Sequence, residues 1–148
     1  MRLKTVSPTI RDYRDADLDT VAEVWLRSWQ STGIAAPVTL DELRSRLLDG
    51  LACGWIIHVA ANEHCVVGFV AFCGDRLEQL FVAPEWQSRG IGKTLLDCAK
   101  NRMPGGFRLH AAAESRAVRF YEREGLSRGE TGAHPRFGHM IVTYSWRP

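Results

Sequence analysis

The chain has 148 residues, 45% hydrophobic and 24% charged, with 19 Lys+Arg against 17 Asp+Glu and a formal net charge of +2. That length fits one domain, residues 1–148, which can bury about 68–70% of its unfolded surface without a metal or disulfide staple; the composition argues against disorder and fibrous repeats. The small net charge conceals an asymmetry: residues 1–75 hold seven basic and ten acidic residues, and residues 76–148 hold twelve and seven. The basic residues are spread out rather than gathered in a stripe with interleaved aromatics, which argues against nucleic acid and leaves an anionic ligand or a solvated surface.

The opening MRLKTVSPTI lacks the apolar stretch of a signal peptide. Residues 9–13 read as a strand. From Asp15 the pattern turns helical, with Leu18, Val21, Ala22, Trp25 and Trp29 on one face. Thr39-Leu40-Asp41-Glu42 has capping-box spacing and opens a second helix expected to end near Gly50. Three strand-like segments follow at 55–61, 66–73 and 77–83, joined by the polar corner Asn62-Glu63-His64 and by Gly74-Asp75. Residues 51–61, the most apolar window, are interrupted by His58 and too short to span a membrane. An amphipathic helix is expected over 90–103, a strand over 107–112, a helix over 115–124 ended by Gly125, and one or two strands in the tail. This order implies one α/β domain, a mixed central sheet with helices on both faces. Cys53, Cys65, Cys73 and Cys98 show no ligand spacing and lie in apolar stretches, so buried free thiols, no metal and a cytoplasmic location are expected.

The most informative stretch runs from Leu77 to Leu96. A strand enters a turn marked by Pro84, then a loop whose Gly90 and Gly92 open a helix. Amides at such a junction lack helical partners and point outward at the positive end of the helix dipole, which makes an anion site suited to phosphate. Arg89 and Lys93 add positive charge. Gly92-Lys93-Thr94 matches the end of a P-loop, GxxxxGK[ST], but position 87 is Gln where that pattern needs Gly, and no strand ending in Asp offers a magnesium-holding partner. A tight strand-to-helix turn without a ligand is the plain alternative.

The wider pattern resembles a known family. Gln87-Ser88-Arg89-Gly90-Ile91-Gly92 is similar to the Q/R-x-x-G-x-G/A acetyl-CoA signature of the GCN5-related N-acetyltransferases (GNAT), with Leu80-Phe81-Val82-Ala83-Pro84 and Leu95-Leu96 as its flanks. The stretch from Ser115 to Leu126, with Ala117, Tyr121 and Gly125, resembles the second motif, N-x-x-A-x-x-[FL]-Y-x-x-x-G-F. The resemblance implies an acetyl-CoA-dependent N-acetyltransferase acting on a primary amine of a small molecule or peptide; a non-catalytic acyl-CoA-binding module is the alternative. It implies that strands 77–83 and 107–112 part around the pantetheine arm, which pairs with backbone groups near Leu80 and Val82. The pyrophosphate would lie on the amides of Gln87, Ser88, Arg89, Gly90, Ile91 and Gly92, beside Lys93.

By the same resemblance, Glu78 is the candidate base, with a solvated strand carboxylate as its alternative. Tyr121 is the candidate acid, and the N–H of Leu80 or Phe81 the oxyanion donor. Glu114 stands where the motif has Asn; a carboxylate offers only acceptors there, and Ser115 is a candidate substitute. Acceptor specificity would reside in Trp25, Trp29, the 31–38 loop, His110, His134, Arg136, His139 and Tyr144, with Trp29, His110 and His134 as candidate substrate contacts, although Trp25 and Trp29, one turn apart, read as core-facing before acceptor-facing. His110 reads equally well as an ordinary strand histidine, and residues 129–138 read as a mobile loop over the pocket. The resemblance also implies a homodimer through the C-terminal strands.

Overall fold

A computed structural model describes residues 7–35, 37–63 and 65–148. Of the expected connections, the polar corner at His64 and the 31–38 loop at Ala36 lie partly outside the described residues. The strands are β1 (Thr9–Asp12), β2 (Ile56–Ala61), β3 (Val66–Cys73), β4 (Arg76–Val82), β5 (Phe107–Ala112), β6 (Ser127–Ala133) and β7 (Met140–Trp146). They form one sheet in the order β1-β2-β3-β4-β5-β7-β6. Its single parallel neighbour pair is β4 with β5; every other pairing is antiparallel. Helices α1 (Leu18–Gln30) and α2 (Leu40–Ala52) cover one face and α3 (Ile91–Arg102) and α4 (Ala117–Arg123) the other.

Two cores result, one on each face. Val21, Ala22 and Trp25 of α1 and Leu43 and Leu47 of α2 pack on Val59, Phe69 and Ala71. Leu95, Leu96 and Ala99 of α3 and Tyr121 of α4 pack on Val70, Leu77, Leu109, Val142 and Tyr144. Alternation along β5 sends Phe107, Leu109 and Ala111 into the α3–α4 core and leaves Arg108 and His110 facing the α1–α2 side. Among the described residues no helix is long and apolar enough to cross a membrane.

The Thr39 cap is formed as expected, its hydroxyl accepting from Glu42 N–H at 3.2 Å. The end of that helix differs. α2 runs through Gly50 to Ala52, and the left-handed terminating glycine is Gly54 (φ +102). Trp55 N–H donates to Gly50 O at 2.9 Å and Gly54 N–H to Leu51 O at 3.2 Å, the paired bonds of a Schellman ending. Gly50 serves a different need: the Trp55 ring folds back so closely that a Cβ on Gly50 would lie 2.3 Å from it.

Three further expectations are corrected. Cys53 and Cys65 are exposed and Cys73 and Cys98 only partly covered, because apolar neighbours in sequence do not decide which way a side chain at a helix end or turn points. The first half of 129–138 is strand rather than loop: β6 pairs with β7 from Ser127↔Ser145 to Ala133↔Met140. Gly129 there lies against the Thr143 carbonyl, where a Cβ would approach to 3.3 Å, beside a register shift between Arg128 and Thr131. Tyr144, expected on the acceptor side, is fully buried in the α3–α4 core and donates to Glu122 Oε2 at 2.7 Å.

Replacing Gly50 by Ala tests the Trp55 contact, because helix propensity alone would raise stability by about 1 kcal/mol. We expect a net loss of about 1–2 kcal/mol in urea unfolding, typical of an overpacked site. An unchanged or higher midpoint would mean that the ring yields without cost.

Candidate active site

The site begins with a break in the sheet. Ala71 faces Gln79 but Phe72 faces Leu77, so Glu78 is an extra residue in β4, a bulge. Bulges bend and twist the strand that carries them, end its pairing and re-aim a side chain. β4 accordingly shares only one bridge with β5, Arg76↔Arg108, fastened by Arg108 N–H to Asp75 O at 2.9 Å. Beyond it the two strands separate.

The peptide groups exposed by that separation follow from the register. Ala83 N–H donates to Val67 O at 2.8 Å. Alternation in an antiparallel ladder then directs the bonds of Phe81 and Gln79 to β3 and turns those of Leu80 and Val82 toward the gap. The Val82 carbonyl is met there by the Gln87 amide at 3.0 Å, which ties the loop to the strand end. Of the two expected oxyanion donors, Leu80 faces the gap and Phe81 does not.

The gap widens into a cleft of about 1010 Å³. At one end lies the glycine loop. Ser88 (φ +63) and Gly90 (φ +83) are left-handed, and the ladder of α3 starts only with Thr94 N–H to Gly90 O at 3.1 Å, so the amides before it have no helical partner. A Cβ on Gly92 would meet the Phe120 ring at 3.4 Å. Arg89 and Ile91 do not line the cleft: the Arg89 side chain lies over Trp86 at 4.9 Å and Ile91 is in the core. Lys93 lines it but is engaged by Glu124 at 3.3 Å and Asp97 at 3.7 Å. Sequence reasoning missed Arg116, Arg119 and Arg123, which line this end from and just before α4. Their spacing of three and four residues was the available signal.

Glu78 and Tyr121 also line the cleft. Glu78 is only partly exposed and takes Arg76 Nε at 3.3 Å. Tyr121 is 5% exposed, and burial pushes its phenol well above the ordinary value, so it keeps its proton at any physiological pH. Its hydroxyl makes no hydrogen bond among the described residues and borders the cleft. Glu114 is exposed at the rim, and the Ser115 hydroxyl donates to Ala112 O at 2.7 Å.

The far end gathers the expected acceptor residues. Trp29 packs on His139 at 5.0 Å between centroids, His139 on His134 at 4.9 Å, and His134 edge-on to His110 at 6.0 Å. Trp25, by contrast, is buried against Phe69 and Phe81. His134 Nδ1 accepts from Arg136 and Phe137 N–H, both at 3.1 Å, which caps the turn before β7 and requires that nitrogen to be unprotonated. Burial lowers the pKa of all three imidazoles, that of His134 to about 4, helped there by His139, His110, Arg46 and Arg136. Among the described residues no group of three or more His, Cys, Asp or Glu is placed to hold a metal ion.

The proton balance at His134 gives a measurable slope. Above about pH 6.5 the imidazole is neutral folded or unfolded; between there and about 4 only the unfolded chain takes the proton, so stability falls as pH falls. His134→Asn keeps an acceptor for the two amides and should flatten that decline in a series of thermal melts. A decline of the same steepness would place His134 at its ordinary pKa.

Comparisons with known proteins agree with this geometry. Residues 54–125 match the family model of the acetyltransferase (GNAT) domain. The peptidyl-lysine N-acetyltransferase YjaB of Salmonella typhimurium is 29% identical over 121 residues, 79% of this chain and 81% of that protein. The solution structure of apo YjaB from Escherichia coli superposes with a TM-score of 0.76 at 22% identity, covering 95% of this chain and 98% of that one. The PaiA N-acetyltransferase of Thermoplasma acidophilum, solved with coenzyme A, superposes with 0.77 at 23% identity over 95% and 100%. Residues 54–125 thus match an acetyltransferase (GNAT) domain, and the chain has the fold of solved GNAT acetyltransferases.

Proposed function

We propose that the protein binds acetyl-CoA in the gap between β4 and β5 and catalyses direct acetyl transfer to a primary amine held at the histidine end of the cleft. The carrying observation is the single bridge between β4 and β5. It leaves the peptide group of Leu80 and the Val82 N–H free to pair with a pantetheine arm, as an added strand would, while the Val82 carbonyl is held by Gln87. At one end of that gap the amides of residues 87–92 suit a pyrophosphate, and Arg116, Arg119 and Arg123 suit the remaining phosphate charge. The homologous PaiA structure with coenzyme A supports the same cofactor here.

The bound thioester supplies an activated acetyl carbon: the amine nitrogen bonds to it, the carbon–sulfur bond breaks, and sulfur leaves with the electron pair. An alkyl ammonium has a pKa of about 10.4 and must first lose a proton, which Glu78 accepts directly or through water. Arg76 Nε, 3.3 Å away, orients that carboxylate. Leu80 N–H points to where negative charge develops on the carbonyl oxygen. The Tyr121 hydroxyl, protonated before the reaction, gives its proton to the departing sulfur and regains one, through solvent, from the nitrogen that now carries the acetyl group. Both groups border one cleft, which favours catalysis over mere acyl-CoA binding. A cytoplasmic site of action and a homodimer formed along the exposed edge strand β6 belong to the same reading.

Tyr121→Phe should lower kcat by about 10²–10⁴, the usual contribution of general acid–base catalysis, with acetyl-CoA affinity preserved; an unchanged kcat would remove the acid role. Arg119→Ala together with Arg123→Ala should weaken acetyl-CoA binding in calorimetry and reduce its salt dependence. Gly92→Leu should abolish that binding, and retained affinity would mean the loop does not hold the pyrophosphate.

A further inference from the structure

The acceptor end of the cleft contains one charged group that the mechanism above leaves unused. Arg46, midway along α2, lines the cleft with its guanidinium carbon 4.7 Å from the Trp25 ring and 5.6 Å from the Phe137 ring. Among the described residues its N–H groups make no hydrogen bond and no ion pair. The carboxylates that bear on it are Glu42, which does not line the cleft, and Glu78, which is taken by Arg76. Arg136 adds a second positive charge nearby, and the imidazoles of His110 and His134 are held neutral.

The geometry of the two contacts matters. A ring occupies the flat face of a guanidinium, whereas a carboxylate binds its edge through two parallel N–H···O bonds. Ring contacts therefore leave the edge of Arg46 available. No Arg46 nitrogen is both buried and partnerless, so the donors open to the cleft, where an anionic ligand can form charge-assisted hydrogen bonds with them. Trp29, Phe137 and His139 form an aromatic wall for an apolar body, and Glu78 lies on the same cleft to receive a proton from an amine. Polyamines and basic peptides would bring further positive charge toward Arg46 and Arg136.

We infer that the acceptor is a small amine carrying a carboxylate, of amino-acid type, whose carboxylate is held by Arg46 while its amine faces Glu78. The inference rests on the acetyl-transfer reading and specifies its second substrate. The test is thiol release at saturating acetyl-CoA from leucine, methionine and phenylalanine, each against its own carboxamide, with spermidine and a blocked lysine peptide alongside. The best acid should exceed its carboxamide in kcat/KM by about tenfold or more, as a charge-assisted hydrogen-bonded pair warrants. Arg46→Gln should bring that ratio to about one. Arg46→Lys, which keeps the charge and loses the fork, should fall between and controls for folding. Acids no better than carboxamides, a preference for spermidine or the lysine peptide, or a ratio untouched by Arg46→Gln would overturn the inference and leave acetyl transfer standing. No thiol release from any amine would overturn both.

Discussion

A parallel strand pair gains its stability from continuous bonding, and β4 gives that up after one bridge. The extra residue at Glu78 turns the strand away from β5, and the peptide group of Leu80 and the Val82 N–H are left without a strand partner in return for a gap. Much else follows from this parting. It places Glu78 on the cleft, lets Gln87 reach the Val82 carbonyl and so positions the glycine loop, and admits Tyr121 of α4 from the far side. Without the bulge, β4 and β5 would bond along their length and close the site.

The electrostatics are arranged along the same gap. Arginines from the approach to α4 stand at the loop end, while Lys93 spends its charge on Glu124 and Asp97. At the other end a histidine cluster stays neutral and, among the described residues, Arg46 has no ionic partner. Of the basic excess of residues 76–148, Arg116, Arg119 and Arg123 line the cleft, whereas Arg89 lies over Trp86.

What could be read from sequence was what depends on short-range spacing. The Thr39 cap, β5 over Phe107–Ala112 and the turn at Gly125 all formed where local patterns placed them. The glycine loop opened α3 as its spacing implied. The bulge at Glu78 was not legible, because no glycine or proline marks it and it arises from how β3 and β4 twist together. Gly50 misled for a related reason: a glycine late in a helix reads as its end, whereas here it makes room for a ring five residues away. Arg46 carried no signal at all, since only the tertiary packing of Trp25 and Phe137 distinguishes it from the surface arginines.

The claim that the gap between β4 and β5 receives acetyl-CoA is most directly tested by amide hydrogen exchange along β4 with and without that ligand. The account predicts that exchange slows at Leu80 and Val82, whose peptide groups face the gap, and changes little at Gln79 and Phe81, already bonded to β3. Saturating acetyl-CoA that leaves Leu80 and Val82 unprotected, or protects all four alike, would contradict it.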